Sequence, residues 1–67
     1  MVRNTYHNLV HQLSETLDSW WRMERYIDDA EKDDEPELAE FWKEYKSTLE
    51  KQVRMLKEKL KAESSGE

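Results

Sequence analysis

Two wide apolar stripes at helical spacing, hinged by the acidic stretch Asp33-Asp34-Glu35-Pro36-Glu37, run through almost the whole of this 67-residue chain. In the first half, Tyr6, Leu9, Val10, Leu13, Leu17, Trp20, Trp21 and Ile27 recur at steps of three and four, which places them on one side of a 3.6-residue period. Asn4 or Thr5 can open this helix by capping free backbone amides through a side-chain oxygen. In the second half, Leu38, Trp42, Tyr45, Leu49, Val53, Leu56 and Leu60 follow steps of 4, 3, 4, 4, 3 and 4, close to a straight helix with slight supercoiling. Asp34 is the expected N-cap of the second helix, with Glu37 three residues on completing a capping box and Pro36 tolerated in the first turn. The expected bounds are a helix over 5–31, a turn over 32–35, a helix over 36–62 and a frayed polar tail over 63–67.

The fold class that follows is all-α, an antiparallel helical hairpin in one small domain. Such a chain has little with which to enclose a core. Hydrophobic residues make up 36% of it, and it has no cysteine, so neither a disulfide framework nor a thiolate metal site can reinforce it. Association is the remaining way to complete the core. Trp20 and Trp21 are adjacent and point about 100° apart on a helix, so they cannot both face the same neighbour. One is expected to meet the second helix and the other a second subunit. The simplest solution is a homodimer that forms an antiparallel four-helix bundle, with an interface drawn from Leu13, Leu17, Trp20, Trp21, Trp42, Tyr45, Leu49, Val53 and Leu56.

Charge bears on the partner. The formal net charge is −5, which argues against nucleic acid, because phosphate binding draws on clustered Lys and Arg. The charge is segregated: Glu15 to Glu40 holds eleven acids and three bases, whereas Lys43 to Lys61 holds seven bases and three acids. This favours two hairpins lying antiparallel, each acidic end beside the other's basic segment. No run of about eighteen apolar residues and no signal-peptide pattern is present, so a soluble, cytoplasmic protein with no membrane partner is expected.

Over residues 17–60 the chain resembles the helix pair of rubrerythrin and other ferritin-like proteins. The resemblance rests on Arg25-Tyr26, Asp29-Ala30-Glu31, Glu37-Leu38-Ala39-Glu40-Phe41-Trp42 and Gln52-Val53-Arg54-Met55-Leu56. In that family each pair contributes one Glu and an E-x-x-H motif, and two antiparallel pairs enclose a di-iron site. The resemblance implies the same bundle architecture here, assembled by dimerisation. Aligned through Met55-Leu56, however, the E-x-x-H positions fall on Leu49 and Gln52, and the first-helix Glu position falls near Asp18 or Ser19. Such a site needs oxygen and nitrogen donors, so the departure withdraws the oxidase or iron-storage activity that an intact motif implies.

Three further features bear on chemistry. Glu24 lies in the line of the first stripe between Trp20 and Ile27, where a partly buried carboxylate is expected. Such a group can serve as a hydrogen-bonded core acid, held by Tyr45 or by a cation of a second subunit, or it can handle a proton or cation. His7 and His11 stand four apart, a spacing used in zinc sites, with only Glu15 one turn further as a third donor; a solvent-exposed pair is expected. The run Lys57-Glu58-Lys59-Leu60-Lys61 reads as a solvated face.

With no Cys, no Ser set in a triad pattern and Gly66 as the single glycine, the chain lacks the parts of nucleophilic or phosphate-binding sites. The expected role is a small non-enzymatic structural or protein-interaction module that pairs with itself and needs no cofactor. Two alternatives differ in class. One is a carboxylate-based metal-binding bundle using Glu24. The other is a small acidic regulator, antitoxin-like, whose aromatic face is covered by a larger protein.

Overall fold

The computed structural model describes residues 4–65, all of which belong to two helices and the turn between them. Helix α1 spans Asn4–Lys32 and α2 spans Pro36–Ser65, and the two pack against each other as a hairpin. Helix α2 therefore continues three residues beyond the expected end at residue 62, through Glu63 to Ser65, while Gly66 and Glu67 lie outside the described residues. No helix among the described residues is long and apolar enough to cross a membrane.

The turn differs from expectation by one residue, and the difference changes which helix it serves. Glu35 N–H donates to the Ala30 carbonyl at 2.9 Å and Asp34 N–H donates to the Glu31 carbonyl at 3.1 Å. These are the paired bonds of a Schellman motif, which closes the end of α1. Asp34 takes the left-handed backbone conformation that the motif requires, with φ of 58°. It is thus the residue that ends α1, not the N-cap of α2. That position falls to Glu35, whose carbonyl accepts from Ala39 N–H at 3.0 Å, and Pro36 becomes the first helical residue, where its missing N–H costs nothing. Lys32 in the last turn of α1 and Glu37 in the first turn of α2 both oppose the helix-end partial charges.

The seam between the helices has a stricter period than the sequence reading assigned. In α1 it follows Tyr6, Leu9, Leu13, Thr16, Trp20, Met23, Ile27 and Ala30; in α2 it follows Ala39, Trp42, Lys46, Leu49, Val53, Leu56, Leu60 and Glu63. Steps of three and four alternate without exception in both, so the repeat is seven residues, the pattern that favours left-handed winding over a straight pair. Apart from Leu17, Ser19 and Tyr26, which flank the seam, every described residue that is not exposed falls on it. Thr16, Met23, Ala30, Ala39, Leu49 and Val53 are the buried set. Thr16 can be buried because its hydroxyl donates to the Gln12 carbonyl at 2.8 Å, one turn back.

Two helices side by side make a plank, with principal extents of 51 × 16 × 11 Å. Its radius of gyration of 15.5 Å compares with about 11 Å for a globular chain of this length. Among the described residues no large side chain falls below 2% exposure. The seam is buried along a line, and both broad faces of the plank remain open.

Candidate functional site

Cross-helix contacts fix how the two broad faces are built. Trp20 Nε1 donates to Glu50 Oε1 at 3.3 Å, Lys46 pairs with Glu24, Lys43 lies 3.8 Å from Glu31, and the Tyr26 and Trp42 rings sit 5.0 Å apart. The first three contacts lie on one side of the seam and the fourth on the other. The seven-residue repeat then sorts the remaining side chains by their offset from the seam.

The first face is built from charge and aromatic contacts along the seam. Lys46, although on the seam, keeps a fifth of its side chain exposed and rests its ammonium 5.0 Å from the centre of the Trp20 ring. The same ammonium donates to Glu24, one turn along α1 from Trp20. Trp21 covers the edge of Trp20 in a T-shaped contact at 5.3 Å and is itself 67% exposed. Of the two tryptophans, then, Trp20 meets the second helix and Trp21 points outward, beside Leu17.

Glu24 corrects an expectation. Its carboxylate is exposed, with 59% of the side chain accessible, and within the chain it pairs with Lys46, not with Tyr45. The seam runs through Trp20, Met23 and Ile27, so Glu24 stands one position off it. His7 and His11 are also exposed; their rings stack at 6.5 Å, and His11 Nε2 lies 3.9 Å from Glu15. No group of three His, Cys, Asp or Glu side chains is arranged to hold a metal ion among the described residues.

The opposite face is apolar, and α2 supplies most of it. Leu38, Phe41, Tyr45 and Met55 are all large, exposed side chains, at 40, 51, 45 and 64% accessibility. They follow α2 at offsets that place them beyond the seam on the side of Tyr26. Phe41, Trp42 and Tyr45 form a mutual aromatic cluster with ring centroids 5.0 to 6.2 Å apart, and Tyr26 joins it through Trp42. Shallow grooves lie on either side of the cluster. One, toward the turn, is lined by Tyr26, Ala30, Leu38 and Trp42 together with the acids Asp29, Asp33 and Glu35; the other, toward the open end, by Met55 and Leu56 together with Gln12, Thr16, Gln52 and Lys59. On α1 the same side carries Gln12, Ser19 and Arg22, the last donating to Ser19 Oγ at 2.9 Å.

The nine residues expected at an interface between chains therefore divide. Leu13, Trp20, Trp42, Leu49, Val53 and Leu56 lie on the seam between the chain's own helices, and Leu17 flanks it. Tyr45 and Trp21 are exposed, but on opposite faces. Phe41, Leu38 and Met55 complete the apolar face; the sequence reading sets Leu38 in the α2 stripe, and the seven-residue seam leaves it outside. Comparison of the chain with family models, with curated proteins and with solved structures returns no match.

Proposed function

We propose that this protein is a non-enzymatic structural or interaction module whose working surface is the apolar face of α2, and that two copies join through it as a four-helix bundle. The observation that carries this reading is the concentration of Leu38, Phe41, Tyr45 and Met55 on one side of a plank that has no second layer. A contiguous exposed aromatic patch of this kind marks an interaction surface in a soluble protein. The bundle so formed has the layout that the ferritin-like resemblance implies, without that family's ligands at Leu49 and Gln52.

The test is solution mass by light scattering, for the natural chain and for Phe41→Glu. The natural chain is expected at twice the 8.2 kDa of one copy. The variant is expected at one copy, because a carboxylate placed within an apolar interface must be desolvated without a partner. A monomeric natural chain, or an unchanged dimer in the variant, refutes the reading.

A further inference from the structure

Resting on that reading, we infer that the second copy lies antiparallel on the apolar face, α2 against α2, with the two-fold axis passing beside Thr48. Three observations lead there: charge, the spacing of the apolar residues and the state of the Thr48 hydroxyl.

Charge along α2 and its approach is divided at the middle. Residues 33–44 hold six acids and one base, a local charge of −5, while residues 51–61 hold five bases and one acid, a local charge of +4. An antiparallel pair sets each acidic half on the other copy's basic half, twice over. A parallel pair gathers both acidic halves of α2 at one end and both basic halves at the other. Charge complementarity of this kind decides orientation even where each rim pair is weak.

The spacing of the apolar face locates the axis. Phe41 and Met55 are equidistant from residue 48, so an axis there seats Phe41 of one copy against Met55 of the other, an aromatic ring against a thioether. The same axis brings the Lys59 stem over Leu38 of the second copy, with its ammonium toward Glu37 and the acidic turn. Parallel face-to-face packing instead sets α2 on α1 of the second copy, where Tyr26 stands among the polar side chains Gln12, Ser19 and Arg22 and offers less apolar surface than α2 does.

Thr48 suits the axis itself. It is small, and its hydroxyl already donates to the Tyr45 carbonyl at 2.7 Å, so covering it strands no donor. The plank's broad face is 51 × 16 Å, roughly 800 Å² in outline, which is the most each copy could bury through it and matches the per-partner area of a standard interface. The other open face has Trp21 and Val10 as its exposed large apolar side chains, interspersed with Lys43, Glu24 and Glu50.

The chain has no cysteine, so single thiols report contacts without background. Thr48→Cys, Trp21→Cys and Ser47→Cys are each oxidised mildly and followed on non-reducing gels, alongside a mixture of Phe41→Cys with Met55→Cys. A residue on a two-fold axis meets its own copy within disulfide reach. Thr48→Cys is expected to convert almost wholly to linked dimer, and the mixture is expected to link Phe41→Cys to Met55→Cys. Ser47→Cys and Trp21→Cys, which point elsewhere, are expected to stay at least tenfold less linked. If the chain dimerises by light scattering but Trp21→Cys links while Thr48→Cys stays reduced, the inferred face is wrong and self-association stands. Equal linking of Ser47→Cys and Thr48→Cys also overturns the axis. A monomer by light scattering overturns both.

Discussion

Replacing Asp34 with glycine should make this protein more stable, and the sign of that change decides which helix the residue serves. Asp34 holds φ of 58° at the end of α1. A left-handed backbone costs a residue with a Cβ about 1–2 kcal/mol, while glycine is spared that cost and instead loses about 0.5–1 kcal/mol of extra chain entropy on folding. The difference is a gain of roughly 0.5–1 kcal/mol for Asp34→Gly. With an unfolding entropy of about 2.1 cal/mol/K per residue, the 67-residue chain converts that gain into a Tm rise of about 4–7 °C. Asp34→Ala should move the other way by a similar amount, because alanine keeps the Cβ and loses the polar group that eases the left-handed conformation. Were Asp34 an N-cap, glycine would lower stability by a few tenths of a kcal/mol and alanine by about 1 kcal/mol. Alanine thus falls in both cases, and glycine discriminates. The assay is thermal unfolding followed by circular dichroism at one fixed protein concentration, since self-association would shift Tm with concentration. A lower Tm for Asp34→Gly refutes the Schellman assignment.

Further outcomes follow from the seam and its flanks. Leu49→Ala, at a position 6% exposed on the seam, should lose about 2–4 kcal/mol in urea unfolding; a loss under about 1 kcal/mol would contradict the seam's phase. A double-mutant cycle of Glu24→Gln with Lys46→Met should give a coupling below about 1 kcal/mol that shrinks with added salt, because the Glu24 side chain is 59% exposed. A large, salt-insensitive coupling would place that carboxylate in a buried setting. The Lys32 ammonium is held above its ordinary pKa of 10.5 by its hydrogen bond to Asp28, with Nζ 2.9 Å from Oδ2. A raised folded-state pKa means the pair's contribution is complete below the unfolded value and disappears as pH rises through the folded one. The Tm difference between the natural chain and Asp28→Asn should therefore be level from neutral pH to about pH 10 and narrow above it, and widening above pH 10 would contradict the pair.

The hairpin was legible in the sequence because its signals are redundant: two long helical periods, one Pro and one acidic cluster at their junction. The phase of the seam was not. Ala30, Ala39 and Thr16 are too small or too polar to register in an apolar pattern, and Lys46 is charged, yet all four lie on the line of closest approach. Large residues drew attention instead. Leu38 and Tyr45 lie one position from Ala39 and Lys46, and taking them as core turned a strict seven-residue repeat into an apparently straight one. The same offset carried Glu24 inward on paper, since Trp20 and Ile27 bracket both it and Met23. The turn was misread by one residue for a different reason: aspartate suits both an N-cap and a left-handed helix end, so residue type alone cannot separate them. The face of α2 became visible once the small residues had claimed the seam and left Leu38, Phe41, Tyr45 and Met55 without a place in it.

The three-residue connection between α1 and α2 also sets an order of events in folding. Ala30 and Leu38 line one groove and are eight residues apart, whereas Gln12 and Leu56, which line another, are 44 apart. The chain entropy lost in closing the longer segment exceeds that of the shorter by about 1.5 kcal/mol, so contacts beside the turn form first and those at the open end close onto them. The plank zips from its acidic end. Amide exchange should then be slowest along the buried middle of the seam, near Met23 and Leu49, and quicken toward Leu9 and Leu60 at the open end of the 51 Å molecule.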